Sequence, residues 1–184
     1  ATSSGNIQVT GFSPTSAASE AFANQPGGTV STTVGDITID GDIVFLDPAS
    51  SVSAGTNKVT IAPITAGRII NLGSEDTATR LGLTDAELDR ITAGTLIIGN
   101  ASSGAITVSA NITRSAATNL QLISNSNVAI EGGGINTAGG TLFLDPGASP
   151  AAVKPTFTGT DVTASTLSFG SDLAIVINGT TPGS

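Results

Sequence analysis

Val44-Phe45-Leu46-Asp47-Pro48 returns almost unchanged as Leu142-Phe143-Leu144-Asp145-Pro146, and the reading of that repeat decides the fold. In each copy two aliphatic residues stand two positions apart. Side chains alternate between the faces of an extended strand, so the two point the same way. The same spacing recurs at Ile70/Leu72, Leu96/Ile98, Leu120/Leu122 and Leu167/Phe169. The first members of the six pairs are 26, 26, 24, 22 and 25 residues apart. A fixed period of this size is the mark of a solenoid, in which each repeat buries its apolar face only against its neighbours.

Further short alternating stretches lie between these rungs. Val59-Thr60-Ile61, Ile106-Thr107-Val108, Val128-Ala129-Ile130 and Leu173-Ala174-Ile175 follow a rung, and the lone apolar residues Ile37, Ile64, Ile91, Ile112, Ile135 and Val162 precede one. Period-2 alternation bounded by Gly, Asn or Ser reads as strand. Three short strands per turn of chain is the layout of a parallel β-helix. The expected architecture is therefore all-β, a β-solenoid of about six to seven coils of 22–26 residues. Coils stacked about 4.8 Å apart would make a rod roughly 30 Å long. An antiparallel sandwich also predicts frequent turn signals, but not that every third strand should look alike.

Composition agrees with a narrow core. Among 184 residues there are 23 Gly and only six aromatics, all Phe, with no Tyr, Trp, Met, Cys or His. Stacked Val, Ile and Leu closed by Gly and Asn corners suit such a chain better than a wide globular core. Fourteen acidic against six basic residues leave a net charge of −8. An acidic surface argues against nucleic acid as partner, which needs clustered Lys and Arg. Absence of Cys excludes a disulfide framework and a thiolate metal site. No run approaches the roughly 20 apolar residues of a membrane span. No charged segment followed by an apolar one opens the chain, so Ala1 reads as the start of a mature or excised segment.

One segment breaks the strand pattern. In Leu83-Thr84-Asp85-Ala86-Glu87-Leu88-Asp89-Arg90-Ile91, Thr84 and Glu87 form a capping box and Leu83 with Leu88 a hydrophobic staple. Asp85 suits the positive end of the helix dipole, and Gly94 ends the element. A short helix near residues 84–92 is expected where one coil should have its second strand. Glu75, Asp76, Arg80, Asp85, Glu87, Asp89 and Arg90 read as its solvated face, with Arg68 or Arg90 paired to an acid. Residues 1–35 are less regular and form an irregular first coil or N-terminal cap, with 36–184 as the solenoid. Within them Ile7-Gln8-Val9 reads as strand, Ala17 to Ala23 as a helical turn, Pro26-Gly27-Gly28 as a turn and Thr29 to Val34 as β-prone.

Candidate chemistry is thin. Nucleophilic catalysis needs a base beside the nucleophile, usually His, and there is none, so no catalytic residue is assigned. Asp40 and Asp42, in Ile39-Asp40-Gly41-Asp42-Ile43, are the acidic pair at strand spacing, with Asp36 nearby. Hard oxygen ligands suit calcium, which makes Asp36, Asp40 and Asp42 the candidate metal residues. The bland reading of Asp-Gly between apolar stretches is a turn, and it is the stronger of the two. Asp47-Pro48 and Asp145-Pro146 need only a structural account, an Asp that bonds its own following backbone and a Pro that ends the strand. Asn100, Asn111 and Asn178 stand in glycosylation sequons, which an Asn/Ser/Thr-rich chain produces by chance. No Thr-x-Thr rank persists from coil to coil as ice binding would require.

Three runs carry a resemblance: Ala66-Gly67-Arg68-Ile69-Ile70-Asn71-Leu72-Gly73, Leu81-Gly82-Leu83-Thr84-Asp85-Ala86-Glu87-Leu88-Asp89-Arg90-Ile91 and Thr95-Leu96-Ile97-Ile98-Gly99. Together with the ending Ile177-Asn178-Gly179-Thr180-Thr181-Pro182-Gly183-Ser184, they look like large repetitive bacterial exoproteins. The chain resembles filamentous haemagglutinin and autotransporter-type adhesins over roughly residues 36–184. The resemblance implies a right-handed parallel β-helix, secretion to the cell surface or extracellular matrix, and a part in adhesion, biofilm or extracellular fibres. The Asn-Pro-Asn secretion motif of the two-partner family is absent, so the chain looks like stalk, and no binding residue carries over. The expected function is a non-enzymatic structural segment with self-association, other copies of the parent exoprotein or surface glycans as partners. Self-association would run head-to-tail through open solenoid ends. The alternative is a carbohydrate-binding or carbohydrate-processing β-helix with an acidic site at Asp40 and Asp42.

Overall fold

The computed structural model describes residues 2–11, 21–147, 156–158 and 162–170, and its secondary structure is almost entirely strand. Among the described residues, with one exception, no strand pairs with the next one along. Ile37–Gly41 pairs with Lys58–Ala62, placing Ile37 opposite Val59 and Ile39 opposite Ile61. Between the two the chain passes through Val44–Leu46 and Ser51–Ser53, which belong to two other sheets. Among the described residues every strand ladder is parallel. The lone antiparallel pairing is an isolated bridge between Thr77 and Arg80.

The long sheet holds seven strands in the order Ile7–Gly11, Ile37–Gly41, Lys58–Ala62, Thr95–Gly99, Asn119–Ile123, Thr141–Asp145 and Thr166–Phe169. Its register sets like over like: Val59, Leu96, Leu120, Leu142 and Leu167 form one column, and Ile61, Ile98, Leu122, Leu144 and Phe169 the next. From Ile37 to Leu144 these inward residues are fully buried, whereas Ile7, Val9, Leu167 and Phe169 at the two ends are half-buried. A second set comprises Arg80–Leu83, Ile69–Leu72, Ile106–Val108, Val128–Glu131 and Thr156–Thr158, with Phe22–Asn24 and Val44–Leu46 as a separate pair. The third is split into Thr2–Ser3, Thr29–Thr32, Ser51–Ser53 and Ile91–Thr92, then Ile112–Thr113, Ile135–Asn136 and Val162–Thr163. Inward residues of all three sets form one continuous core, almost purely Ile, Leu and Val.

The observed ladder corrects the one read from spacing. Leu96, Leu120, Leu142 and Leu167 do stack. Val44/Leu46 instead lies over Phe22 and Asn24, and Ile70/Leu72 over Ile106 and Val108. The two Phe-Leu-Asp-Pro copies therefore sit in different sheets. In the long sheet, Ile37 to Val59 and Leu120 to Leu142 are steps of 22 residues, and Val59 to Leu96 is a step of 37. An aliphatic pair two apart marks any inward-facing strand, so spacing cannot say which sheet the strand enters. Ile64, one of the lone apolar residues that precede a rung, is exposed outside any strand. Phe22 and Ala23 are in a strand, not a helical turn. Ala17 to Glu20, Leu173-Ala174-Ile175 and Asn178 lie outside the described residues.

Glycine makes the corners tight. A Cβ at Gly94 would lie 2.2 Å from the Thr56 carbonyl oxygen, and one at Gly140 would lie 2.1 Å from that of Thr118. Both glycines immediately precede strands of the long sheet. There the chain turns hard against the backbone that leads into the neighbouring strand of the same sheet, and any side chain would push the two apart.

Candidate functional site

Asp36, Asp40 and Asp42 do not converge on a common point, and among the described residues no three His, Cys, Asp or Glu are placed to hold a metal ion. Each is occupied separately. Asp36 Oδ1 accepts the Lys58 N–H at 2.9 Å, and Asp40 Oδ2 accepts from Gln8 Nε2 at 3.3 Å. Asp42 Oδ1 accepts the N–H groups of Ile64 at 3.1 Å and Thr65 at 2.9 Å, and its Oδ2 accepts the Thr65 hydroxyl. Arg68 Nε stands 3.9 Å from Asp42 Oδ1.

These contacts follow a rule that the sequence reading missed. A side-chain oxygen beside one strand accepts a backbone N–H that lies 22 to 30 residues further along the chain. Asn6 accepts from Asp36 at 2.9 Å, Asn111 from Gly134 at 2.8 Å and Asn119 from Thr141 at 3.0 Å. At corners the backbone leaves the ladder, so its N–H groups need other acceptors. The available signal was an Asn or Asp just before an alternating apolar stretch. Asp47 behaves as read, its Oδ1 accepting the Ala49 N–H at 2.8 Å.

The most charged region of the molecule surrounds the helix Asp85–Leu88. Its capping box is complete: Glu87 N–H donates to Thr84 Oγ1, and Glu87 Oε2 accepts the Thr84 N–H at 3.0 Å. The helix and the strand Arg80–Leu83 interrupt both shorter sets of strands. Here Arg80–Leu83 pairs with the strand just before it, Ile69–Leu72, which is the exception noted above. On its other side it comes close to Val44–Leu46 without joining it in a sheet.

Side chains fill that gap. Asp76 bridges it, its Oδ2 accepting the Val44 N–H at 2.9 Å and its Oδ1 the Gly82 N–H at 2.7 Å. Glu87 Oε1 accepts the Leu46 N–H at 3.4 Å, and Arg90 Nη1 donates to the Leu46 carbonyl at 2.5 Å. A second gap separates Ile91–Thr92 from Ile112–Thr113. There Asp85 Oδ1 accepts the Thr113 N–H at 2.7 Å. Arg114 donates to the Leu88 carbonyl and, at 2.5 Å, to that of Ile91. Every arginine of the chain works this way, Arg68 on Thr77 and Ala78 and Arg80 on Glu75 completing the set. Carboxyl and guanidinium groups replace the backbone ladder wherever the ladder is broken.

The sequence predicts a solvated face for Asp76, Glu87 and Arg90, but the structure turns all three inward to backbone groups. Glu87 and Arg114 are only 6% and 5% exposed. Burial pushes the Asp76 carboxyl up from the usual value to about 7. The charge of Glu87 adds to that rise, while the Gly82 and Val44 N–H groups and Arg68 oppose it. Burial likewise lowers the Arg114 guanidinium, against the pull of Asp89 and Asp85. Chemically the region is a set of donors and acceptors already committed to the backbone.

Asn100 and Asn111 also serve the backbone, Asn100 Oδ1 accepting the Ser102 N–H at 2.8 Å. Among the described residues no helix is long and apolar enough to cross a membrane. The chain matches no family model, no curated protein and no solved structure.

Proposed function

We propose that the chain is a right-handed parallel β-helix, a non-enzymatic structural segment of a secreted bacterial surface adhesin or extracellular filament. The observation that carries this reading is the seven-strand parallel stack, whose inward residues run as one narrow aliphatic core. Strands that return to the same sheet after visiting two others describe a coil, and parallel crossovers are right-handed almost without exception. Seven strands about 4.8 Å apart give a rod roughly 30 Å long. The charged residues support a structural part as well, since those that could make a site are spent on backbone N–H and carbonyl groups. The resemblance to filamentous haemagglutinin and autotransporter-type adhesins supplies the cell-surface setting. Self-association follows the same logic, because the half-buried Ile7, Val9, Leu167 and Phe169 leave apolar positions at the ends of the described stack.

Small-angle scattering and negative-stain microscopy of the purified chain test the rod. The expected single particle is about as wide as its length of roughly 30 Å, with longer assemblies of that same width appearing as concentration rises. Assemblies of varying width would sink the stacked β-helix, and particles that stay monodisperse at millimolar concentration would sink assembly. A glycan array with the wild type, Asp40→Asn and Asp42→Asn tests the structural reading against a carbohydrate site. Binding that both substitutions abolish would replace the stalk with a carbohydrate-binding protein.

A further inference from the structure

We infer that the chain self-associates through one defined contact, in which the strand Thr166–Phe169 at one end of the long sheet pairs in parallel with the strand Ile7–Gly11 at the opposite end of the long sheet of a second copy. The inference rests on the self-association proposed above and names the two surfaces that make it.

The first observation is how strand edges are treated. Inside the molecule, where Val44–Leu46 faces Arg80–Leu83 and Ile91–Thr92 faces Ile112–Thr113 without a ladder, charged side chains occupy the backbone groups. The outer edges differ. Ile7–Gly11 and Thr166–Phe169 end the long sheet, and among the described residues no charged side chain bonds the backbone of either. Neither strand contains a charged residue, and the same holds for Thr2–Ser3, Phe22–Asn24, Thr156–Thr158 and Val162–Thr163, which end the other sets. Edges kept from pairing usually carry Lys, another charge or Pro. Two chains of net charge −8 meet with least repulsion at such uncharged ends.

The second observation is register. One inward column runs from Ile7 to Leu167 and the next from Val9 to Phe169. Within the sheet both columns are fully buried, while these four end residues are half-buried. Setting Leu167 against Ile7 and Phe169 against Val9 of the next copy continues both columns.

The third is the direction of the free backbone groups. Ile7 N–H donates to the Asp36 carbonyl at 2.9 Å. Alternate residues of a parallel strand bond opposite neighbours, so the groups of Gln8 and Thr10 face the open edge. At the other end, Gly170 N–H donates to the Leu144 carbonyl at 2.9 Å, which turns the groups of Leu167 and Phe169 outward. In the register set by the columns, the N–H groups of Gln8 and Thr10 meet the carbonyls of Leu167 and Phe169, and the Phe169 N–H meets the Gln8 carbonyl. One alignment thus buries the apolar ends and pairs the free groups. Because the contact joins unlike surfaces, it leaves one of each exposed and grows an open filament.

The chain contains no cysteine, so introduced thiols report the contact alone. Gln8 and Ser168 lie in the outward column between the two inward ones, and parallel partners about 4.8 Å apart are within disulfide reach. Separately purified Gln8→Cys and Ser168→Cys proteins, mixed and oxidised, are expected to give the mixed dimer in preference to either like dimer, identified by the mass of the linked peptides. Thr38→Cys, on an interior strand, should give no such preference with Ser168→Cys. Thr10→Pro removes an N–H that faces the open edge, so it should weaken assembly about tenfold and leave the melting temperature unchanged. Assemblies that form without the mixed disulfide, or that persist unweakened in Thr10→Pro, overturn this contact and leave self-association standing. A chain that stays monomeric at millimolar concentration overturns both. The mixed disulfide reads the contact whether or not Thr10→Pro folds.

Discussion

Asp40 and Asp42 are two positions apart and carry very different structural loads. Asp42 accepts two backbone N–H groups and a hydroxyl and faces Arg68, while Asp40 meets only the exposed amide of Gln8. Leaving corner N–H groups without an acceptor costs about 1–3 kcal/mol, so Asp42→Ala should lower stability by about 2 kcal/mol in urea titration. Asp40→Ala should change it by less than about 0.5 kcal/mol, as exposed substitutions do. Millimolar calcium should leave the melting temperature of the wild type unchanged. A rise of several degrees that Asp42→Asn abolishes would restore the metal reading. In the core the magnitudes are larger. Leu120 is fully buried between Leu96 and Leu142, and Leu120→Ala should cost about 2–5 kcal/mol by the same titration. The load on Asp42 was not legible in sequence, because the N–H groups it serves lie 22 and 23 residues away.

At the scale of elements, the helix Asp85–Leu88 shows what local sequence can specify. Its capping box uses residues three apart, so the signal lies inside one short window, and the structure shows it complete. Thr84→Ala should cost about 1 kcal/mol, with exchange rising at residues 84–91 and unchanged in the long sheet. Its far end depends on Arg114, which comes from 26 residues beyond Leu88. Arg114→Met should cost about 2–4 kcal/mol, since two buried carbonyls lose a charged donor. Arg114→Lys should recover little of it, because one ammonium lacks the planar fork that serves both carbonyls. A variant as stable as the wild type in either case would show that water or another side chain satisfies the Leu88 and Ile91 carbonyls. No local pattern marks Arg114, which the sequence shows as one basic residue in an Asn-Ile-Thr-Arg-Ser stretch.

At the scale of the whole molecule, the three sets of parallel strands among the described residues differ in continuity. The long sheet runs unbroken through seven strands, while the other two sets are each interrupted beside the inserted helix. Where two of the three sets lack a backbone ladder, fewer strand hydrogen bonds hold the structure, so the interrupted level is the expected weak point. The Asp76 carboxyl adds a global signature. Folded, it holds a proton up to about pH 7 that the unfolded chain releases near 3.8. Unfolding therefore releases a proton in that window, and stability falls as pH rises through it, then flattens. Urea midpoints from pH 4 to pH 8 should fall more steeply for the wild type than for Asp76→Asn. Parallel slopes would show that Asp76 titrates alike in both states.

Sequence by itself determined the class of structure: short strands of alternating residues, frequent Gly and Asn corners, a period in the twenties and one capped helix that breaks it. All of these are local or composition-level properties, readable in windows of a few residues. Which strand lies on which was decided only in three dimensions. Val44/Leu46 and Leu142/Leu144 carry the same pattern, yet they enter different sheets because the inserted stretch makes the step from Val59 to Leu96 longer than its neighbours. The tertiary structure also decided the use of the charges. An Asp is equally at home on a solvated face or beneath a strand edge, and only the broken ladder, with backbone N–H groups and carbonyls lacking partners, turns Asp76, Glu87, Arg90 and Arg114 inward.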